Sequence, residues 1–130
     1  MSATFRVSRT VGAPAERVWT ALSTYAEWTQ WGVSITEVEA EGVVIRPGAR
    51  GRVRTRVGIW VPFQITRVEP AHFWTWKVAG VEATGHEVRP SGVGSHVTFT
   101  APWWAAPYAL VLRASLKRLA ALEPRRSGAR

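Results

Sequence analysis

One histidine stands where its side chain could act on a bound molecule. His86 alternates with Thr84 and Val88 on one face of a predicted strand, and the apolar Val88 indicates that this face looks inward. A histidine there could act as a general acid or base near neutral pH, or donate one hydrogen bond to a ligand carbonyl. The alternative is a structural histidine whose hydrogen bonds are met within the protein. The pattern therefore predicts His86 in or near an internal cavity.

Tyr108 and Gln64 are two other neutral polar side chains that could orient a ligand oxygen. Tyr108 is also the second candidate catalytic residue, beside His86. The three histidines stand at scattered positions without HxH or HExxH spacing, so no catalytic metal site is expected. The chain has no cysteine and all nine acidic residues are glutamate, which excludes thiolate nucleophiles, disulfides, Ser-His-Asp triads and aspartate dyads. No cofactor is expected.

Eight tryptophans in 130 residues are the most unusual feature of the composition. Trp74 and Trp76 share one face of a predicted strand with Val78, and we expect them on its concave side, where they line a pocket. Trp103 and Trp104 stand where a long helix begins, beside the expected cavity entrance, either as a lid or as packing. The predicted ligand-binding residues are Trp28, Trp31, Gln64, Trp74, Trp76, Thr84, His86, Trp104, Tyr108 and Leu112.

Three arginines, Arg52, Arg54 and Arg56, alternate along the third predicted strand, with Val53 and Thr55 between them. The solvated outer face is their expected position, because burying three like charges is costly. A register shifted by one residue would turn them into the cavity, where they could bind a carboxylate, a phosphate or a polyketide enolate. The sequence leaves the two registers open.

The net charge of +8 is concentrated at the C-terminal end of the chain. Residues 113–130 carry six basic side chains against one glutamate, so the other 112 residues hold a surplus of only three positive charges. This pattern is typical of a basic helix end followed by a solvated tail. The alternative is a binding arm for RNA, although a dedicated nucleic-acid-binding protein usually clusters its charge on a folded face. Nucleic acid is therefore not an expected partner.

The elements that must position these residues follow from periodicity. Alternation over residues 5–11 predicts a first strand. Helical spacing predicts two short helices after it, over residues 15–22 and around Trp28. Six further strands are predicted at about Ile35–Ala40, Gly51–Val57, Trp60–Val68, Phe73–Val78, Glu82–Arg89 and Ser95–Ala101. After Pro102 a broad apolar face predicts one long helix, which Pro124 is expected to end.

The predicted architecture is α+β, with a curved, seven-stranded antiparallel sheet that grips the long C-terminal helix and two short helices after the first strand. A helix of about 20 residues is about 30 Å long, enough to lie across the whole sheet and leave a cavity beneath it. Residues 1–123 are predicted to form one domain, and residues 124–130 a basic tail. Since no apolar run approaches the roughly 18 residues of a membrane span, the expected location is the cytoplasm.

Three segments of the chain carry a family pattern. Residues 13–22 read Ala-Pro-Ala-Glu-Arg-Val-Trp-Thr-Ala-Leu, Val68-Glu69-Pro70 precedes an aromatic strand, and residues 94–99 read Gly-Ser-His-Val-Thr-Phe. Together they resemble the START-like, Bet v 1-like superfamily (SRPBCC type), which includes polyketide cyclases, dehydratases and lipid-transfer proteins. The resemblance spans nearly the whole chain and implies the helix-grip fold. Function varies within the superfamily, which contains carriers, sensors, cyclases and toxins.

The predicted function is binding of a hydrophobic, polyketide-like or lipid-like small molecule in an aromatic-lined cavity between the sheet and the long helix. One hypothesis is an enzyme of the polyketide cyclase or dehydratase type, with general acid and base groups in a preformed pocket. The alternative is a carrier or sensor that leaves its hydrophobic ligand unchanged. A second alternative is a basic interaction module for RNA, ribosomes or acidic lipid surfaces. The protein is expected to be a monomer or a homodimer.

Overall fold

The computed structural model of the protein describes residues 4–127, with all of their side chains except those of residues 104, 106, 107 and 124–127. The strands are β1 Thr4–Val11, β2 Ile35–Ala40, β3 Arg50–Thr55, β4 Trp60–Glu69, β5 Phe73–Val78, β6 Val81–Ser91 and β7 Gly94–Pro102. The helices are α1 Ala15–Ser23, α2 Trp28–Trp31 and α3 Ala109–Ser127, with 3₁₀ turns at Tyr25–Glu27 and Trp103–Tyr108.

The seven strands form one antiparallel sheet in the order β1-β7-β6-β5-β4-β3-β2. Strands β2 to β7 pair with their neighbours in the chain, and β1 pairs with β7 at the other end of the sheet. Register shifts interrupt the β2–β3, β4–β5 and β5–β6 pairs, and bulges of this kind bend a sheet. The predicted α+β helix-grip architecture, including the number of strands, is confirmed.

Gly85 allows neighbouring strands to approach each other closely in the middle of the sheet. A Cβ atom at this position would lie 2.5 Å from Thr100 Oγ1 and 3.2 Å from the ring of Phe73. Any other residue type would push β6 away from its neighbours. Gly85 separates Thr84 from His86 in β6, so this close packing helps to hold two inward-facing polar side chains in place.

The hydrophobic core lies between the concave face of the sheet and the helices. α3 buries Leu112, Leu116 and Leu119, which recur at helical spacing on one face. α1 buries Val18 and Leu22 in the same way. Truncating one buried leucine to alanine in such a core typically costs about 2–5 kcal/mol of stability. The packing of these apolar faces therefore holds the helices on the sheet.

An ion cluster connects the short helices to the C-terminal half of α3. The Arg17 guanidinium of α1 lies 2.8 Å from Glu27 Oε1 and 2.9 Å from Glu123 Oε1. The Glu123 side chain is completely buried, so its charge needs a partner inside the fold. Arg17 therefore fixes α1, the 3₁₀ turn that follows it and α3 relative to one another.

Both ends of α3 differ from the sequence prediction. A kinked 3₁₀ segment occupies residues 103–108, and α3 begins only at Ala109. The kink lies at Ala105, whose φ of −96° and ψ of 18° are not helical. At the other end, α3 continues past Pro124, its predicted end, to Ser127. The fixed φ of proline is itself helical, so a helix can lose one hydrogen bond there without ending.

The predicted basic tail, residues 124–130, lies outside the part of the chain whose side chains are described. Its predicted role as a solvated terminus therefore stays a prediction. The strand bounds fall close to those predicted, with β3 ending at Thr55 and not at Val57. The chain turns there, and Gly58 adopts a φ of 87°, which favours glycine.

Candidate functional site

A cavity of about 600 Å³ lies between the concave face of the sheet and the start of α3. Its walls come from inward positions of β3 to β7, the segment before β2, and the chain around the start of α3. The lining residues are Ser34, Ile35, Val53, Thr55, Val61, Trp76, Val78, Ala83, Thr84, Ala101, Pro102, Ala105, Tyr108 and Val111. This described lining holds no lysine, arginine, histidine or glutamate. The cavity thus presents an apolar wall with a few neutral hydroxyl groups.

Tyr108 and Ser34 form a polar contact at the mouth of this cavity. The Tyr108 hydroxyl lies 2.9 Å from Ser34 Oγ, and either group can donate the hydrogen bond. Tyr108 is 40% exposed, so the contact borders on solvent. It joins the 3₁₀ segment before α3 to the segment before β2.

A second, smaller chamber of about 40 Å³ adjoins the cavity deeper in the core. Ser34, Ile35, Trp76, Thr84 and Tyr108 line both spaces, which places the two side by side. The other chamber residues are Trp28, Trp31, Gly32, Trp74, His86, Phe99, Leu112 and Ser115. A water molecule in the liquid takes up about 30 Å³, so the chamber has room for a group of about that size.

Three stacked aromatic rings form one wall of the chamber. The Trp74 indole stacks on Trp28, with ring centroids 5.2 Å apart and an angle of 4°, and on His86, at 3.9 Å and 19°. Trp76 meets Trp74 at 77°, and Phe99 meets His86 at 72°. Trp28 and His86 therefore both stack on the Trp74 ring, which is also one of the residues that line the chamber.

A chain of hydrogen bonds fixes the protonation of His86. The carbonyl of Trp74 can only accept, so the His86 Nδ1 atom, 3.4 Å away, carries the hydrogen and donates it. His86 Nε2 must then accept from the Thr84 hydroxyl, 3.1 Å away. Thr84 Oγ1 in turn accepts the indole N–H of Trp76 at 2.9 Å. The geometry thus describes a neutral imidazole with a partner at each nitrogen.

Burial lowers the pKa of His86 to about 3, and the hydrogen bond to the Trp74 carbonyl raises it only partly back. The residue is 3% exposed, and transfer of a charge into such an interior is costly. An imidazole with this pKa holds a proton too weakly to serve as a general base near neutral pH. In the ground state, His86 is therefore a neutral group that orients Thr84.

The structure brings eight of the ten predicted ligand-binding residues together around the two spaces. Trp76, Thr84 and Tyr108 line the main cavity and the chamber, and Trp28, Trp31, Trp74, His86 and Leu112 line the chamber alone. The predicted residue Trp104 lies outside the described side chains. Contact of these residues with a ligand stays a prediction.

Gln64, the tenth predicted ligand-binding residue, lines neither space. It stands in β4 between Phe63 and Ile65, and both of these side chains are buried in the core. Because side chains alternate along a strand, Gln64 lies on the opposite, convex face. The apolar residues on each side of it were the signal that would have shown this from the sequence.

The arginines of β3 lie on the convex face, as expected. Arg52 lies 2.8 Å from a carboxylate oxygen of Glu39, and Arg54 lies 2.7 Å from one of Glu37. Arg56, just beyond the end of β3, donates to a backbone carbonyl of the segment before β2. The shifted register that would have turned these charges into the cavity is not the one adopted.

Sequence analysis missed most of the apolar wall of the main cavity. Val53, Val61, Val78, Ala83 and Ala101 occupy inward positions on five successive strands, from β3 to β7. Alternation marks Val53, Val61, Val78 and Ala101 as inward, whereas Ala83 directly precedes the inward Thr84 and lines the cavity beside the register shift between β5 and β6. Alternation also does not say which positions of neighbouring strands lie side by side. The register of the sheet supplies that information.

Two further findings concern the described residues only. They contain no group of three or more histidine, cysteine, aspartate or glutamate side chains placed to hold a metal ion. None of their helices is both long enough and apolar enough to cross a membrane. The groups that line the two spaces offer apolar contact, aromatic stacking and neutral hydrogen bonds.

Comparison with known proteins gives a family match and similar folds. The family model for polyketide cyclase / dehydrase and lipid transport matches residues 2–123. The solved structure of protein MLL2253 from Mesorhizobium loti has a TM-score of 0.77 at 17% identity, with 95% of this chain and 98% of that one covered. Protein CV1439 from Chromobacterium violaceum has a TM-score of 0.68 at 21% identity, with coverages of 92% and 96%.

A third similar structure is that of DynU16, a protein in the dynemicin biosynthetic locus. It has a TM-score of 0.71 at 21% identity, and the match covers 96% of this chain and 48% of DynU16. At these identities the likeness to solved structures shows the fold alone. No curated protein sequence matches this chain.

Proposed function

This chain belongs to the polyketide cyclase / dehydrase and lipid transport family, and from that membership we propose that it binds an uncharged, apolar small molecule between the sheet and α3. The cavity of about 600 Å³ carries this proposal. Small-molecule sites typically have volumes of about 300–1,000 Å³ and mostly apolar walls. Carriage or sensing of an unchanged ligand is the function that we favour.

The choice of an uncharged ligand follows from the residues of the cavity wall. Burial of apolar ligand surface contributes about 25 cal/mol per Å². A carboxylate would lose its hydration, and the described lining offers no cationic side chain to pair with it. The penalty for such an unpaired buried charge is several kcal/mol. The wall therefore favours neutral ligands over acids of the same size.

The state of His86 favours carriage over acid–base catalysis. Its two ring nitrogens both have partners, and burial lowers its pKa to about 3, so it does not exchange protons readily near neutral pH. Tyr108, the other predicted catalytic residue, shares its hydroxyl with Ser34 at the mouth. A carrier needs only the apolar wall and a few neutral hydrogen-bonding groups, and these are the groups present.

An enzyme of the cyclase or dehydratase type is the second candidate function. Thr84 and Tyr108 present hydroxyl groups to the same cavity, which is the observation that favours it. DynU16, a protein of similar fold, lies in a biosynthetic locus. In this function Tyr108 would exchange a proton with the substrate at the mouth, and His86 would hold the Thr84 hydroxyl in one orientation.

Two matched fluorophores test the proposed function. N-phenyl-1-naphthylamine is neutral, and 8-anilinonaphthalene-1-sulfonate has the same rings with one added sulfonate. We expect saturable binding of the neutral probe at one site and binding of the sulfonate that is weaker by about tenfold or more. Ala83→Phe, which fills part of the cavity, should abolish binding of the neutral probe. Ala114→Phe, on the exposed side of α3, is the matched control.

Absence of neutral-probe binding, or equal binding in both variants, would contradict the proposed function. Mass spectrometry of molecules that co-purify with the native protein separates the two candidates. A co-purifying molecule that the protein returns with unchanged mass supports a carrier. A product of altered mass, whose formation is lost in Tyr108→Phe, supports an enzyme instead.

A further inference from the structure

We propose that the inner chamber binds an uncharged carbonyl oxygen of the ligand through the indole N–H of Trp74. The proposal rests on the function proposed above and names the chemical class of its ligand. The ligand would be a ketone, aldehyde or ester whose apolar body fills the main cavity and whose carbonyl group lies at its inner end.

The indole N–H groups of the tryptophans around the chamber differ in whether they have a hydrogen-bond acceptor. Trp28 and Trp31 each donate to a backbone carbonyl of α1 at 2.9 Å. Trp76 donates to the Thr84 hydroxyl at 2.9 Å. The N–H of Trp74 is buried and has no acceptor among the described residues. Buried donors are rarely left unpaired in native proteins, so this one indicates a partner that comes from outside the chain.

The position of Trp74 is suited to such a partner. Trp28 and His86 both stack on its ring, and Trp74 is one of the residues that line the chamber. The volume of about 40 Å³ is close to the roughly 30 Å³ that a water molecule takes up, and a carbonyl oxygen is of similar size. Trp76 and Thr84 line both spaces, so a ligand in the main cavity can extend into the chamber.

The surrounding groups favour a neutral acceptor. The Thr84 hydroxyl already donates its one hydrogen bond to His86 Nε2, so it cannot also donate to the ligand. The described chamber lining has no lysine or arginine that could pair with a carboxylate. A carbonyl oxygen belongs to a ligand whose apolar body is bound in the main cavity. Inside the chamber it therefore needs only one hydrogen bond from the protein.

Fluorenone and fluorene form a matched probe pair, because they have the same ring system and differ by the carbonyl oxygen. We expect wild-type protein to bind fluorenone about three- to tenfold more tightly than fluorene, beyond their difference in partition into an apolar solvent. The carbonyl stretch of bound fluorenone should lie at lower frequency than in that solvent, as hydrogen bonding requires. The indole proton of Trp74 should shift in NMR spectra with fluorenone and not with fluorene.

The variant Trp74→Phe keeps an aromatic ring in the stack and removes the N–H. It should lose the preference for fluorenone over fluorene, so the ratio of the two dissociation constants is the quantity that the variant changes. Trp60→Phe is the control, because it removes an indole from β4 at a position next to the inward-facing Val61 and therefore on the convex face. If Trp74→Phe does not fold, the NMR shift in the wild-type protein decides the question.

Three outcomes overturn the proposal while the proposed function stands. The first is that fluorenone and fluorene bind the wild type equally well. The second is that Trp74→Phe weakens the binding of both probes equally. The third is that the NMR signal of the Trp74 indole proton does not shift on addition of fluorenone. If neither probe binds, and the neutral naphthylamine also fails to bind, the proposed function itself fails. The two failures are therefore distinguishable.

Discussion

Replacement of His86 by phenylalanine should make the free energy of unfolding less dependent on pH in the acid range. In the unfolded chain an imidazole binds a proton below about pH 6.5. In the folded protein, burial among Trp74, Trp31 and Phe99 lowers the pKa of His86 to about 3. Between these two values the unfolded chain holds one proton more than the folded chain, so stability falls as the pH falls through this window.

The size of the effect follows from the separation of the two pKa values. Each pH unit below 6.5 costs about 1.4 kcal/mol until the pH approaches the folded value. From pH 7.5 to 5.0 the expected loss from His86 alone is about 2 kcal/mol, and near pH 3 it is about 4 kcal/mol. A buried phenyl ring keeps the stack on Trp74 and has no proton to bind.

Urea unfolding at pH 7.5 and pH 5.0 measures this contribution. The loss of stability between the two pH values should be smaller in His86→Phe than in wild type by about 2 kcal/mol. The Thr84 hydroxyl loses its acceptor in this variant at both pH values alike, so that cost cancels in the comparison. His96→Phe, which removes an exposed imidazole, is the matched control and should keep the wild-type pH dependence. An unchanged pH dependence in His86→Phe would refute the reasoning.

Two further substitutions test contacts that position the site. Thr84→Val leaves the Trp76 N–H and the His86 Nε2 atom without partners, so urea unfolding should show a loss of about 1–3 kcal/mol for each group, while Thr84→Ser should retain most of the stability. Arg17→Met should cost about 3–5 kcal/mol, because the buried Glu123 carboxylate loses the Arg17 guanidinium 2.9 Å away, and a loss below about 1 kcal/mol would show that this ion pair is not important. Arg17→Lys, which keeps the charge, should recover part of that loss.

The period-two pattern of β5 and β6 is sufficient to predict which side chains face the core. A slip of one residue in β5 would expose Trp74 and Trp76 and bury Lys77, so only one register buries the aromatic residues. The same reasoning predicts Thr84 and His86 on the inner face of β6. The same alternation marks Gln64 as outward, because both of its neighbours in β4, Phe63 and Ile65, are buried.

The chamber and the protonation state of His86 could not be predicted from the sequence. The chamber exists because α2 brings Trp28 and Trp31 over β5 and β6, and that placement depends on packing between distant segments. The pKa of His86 depends on how completely Phe99 and the tryptophans exclude water. An isolated histidine in a strand pattern is compatible with a general base and with a buried neutral group, and only tertiary packing decides between them.

The separation of charge in β3 explains how a strongly basic protein can hold a neutral cavity. Arg52 and Arg54 pair with glutamates on the convex face, and the residues that follow each of them, Val53 and Thr55, belong to the cavity wall. Because the strand keeps its charges outside, the concave side is an environment of low dielectric constant. A single hydrogen bond is stronger there than in water, and an unpaired polar group is more costly. Ligand choice in such a space would depend on whether the ligand can meet the one free indole donor of the chamber's described tryptophans, so selectivity would arise without a catalytic residue.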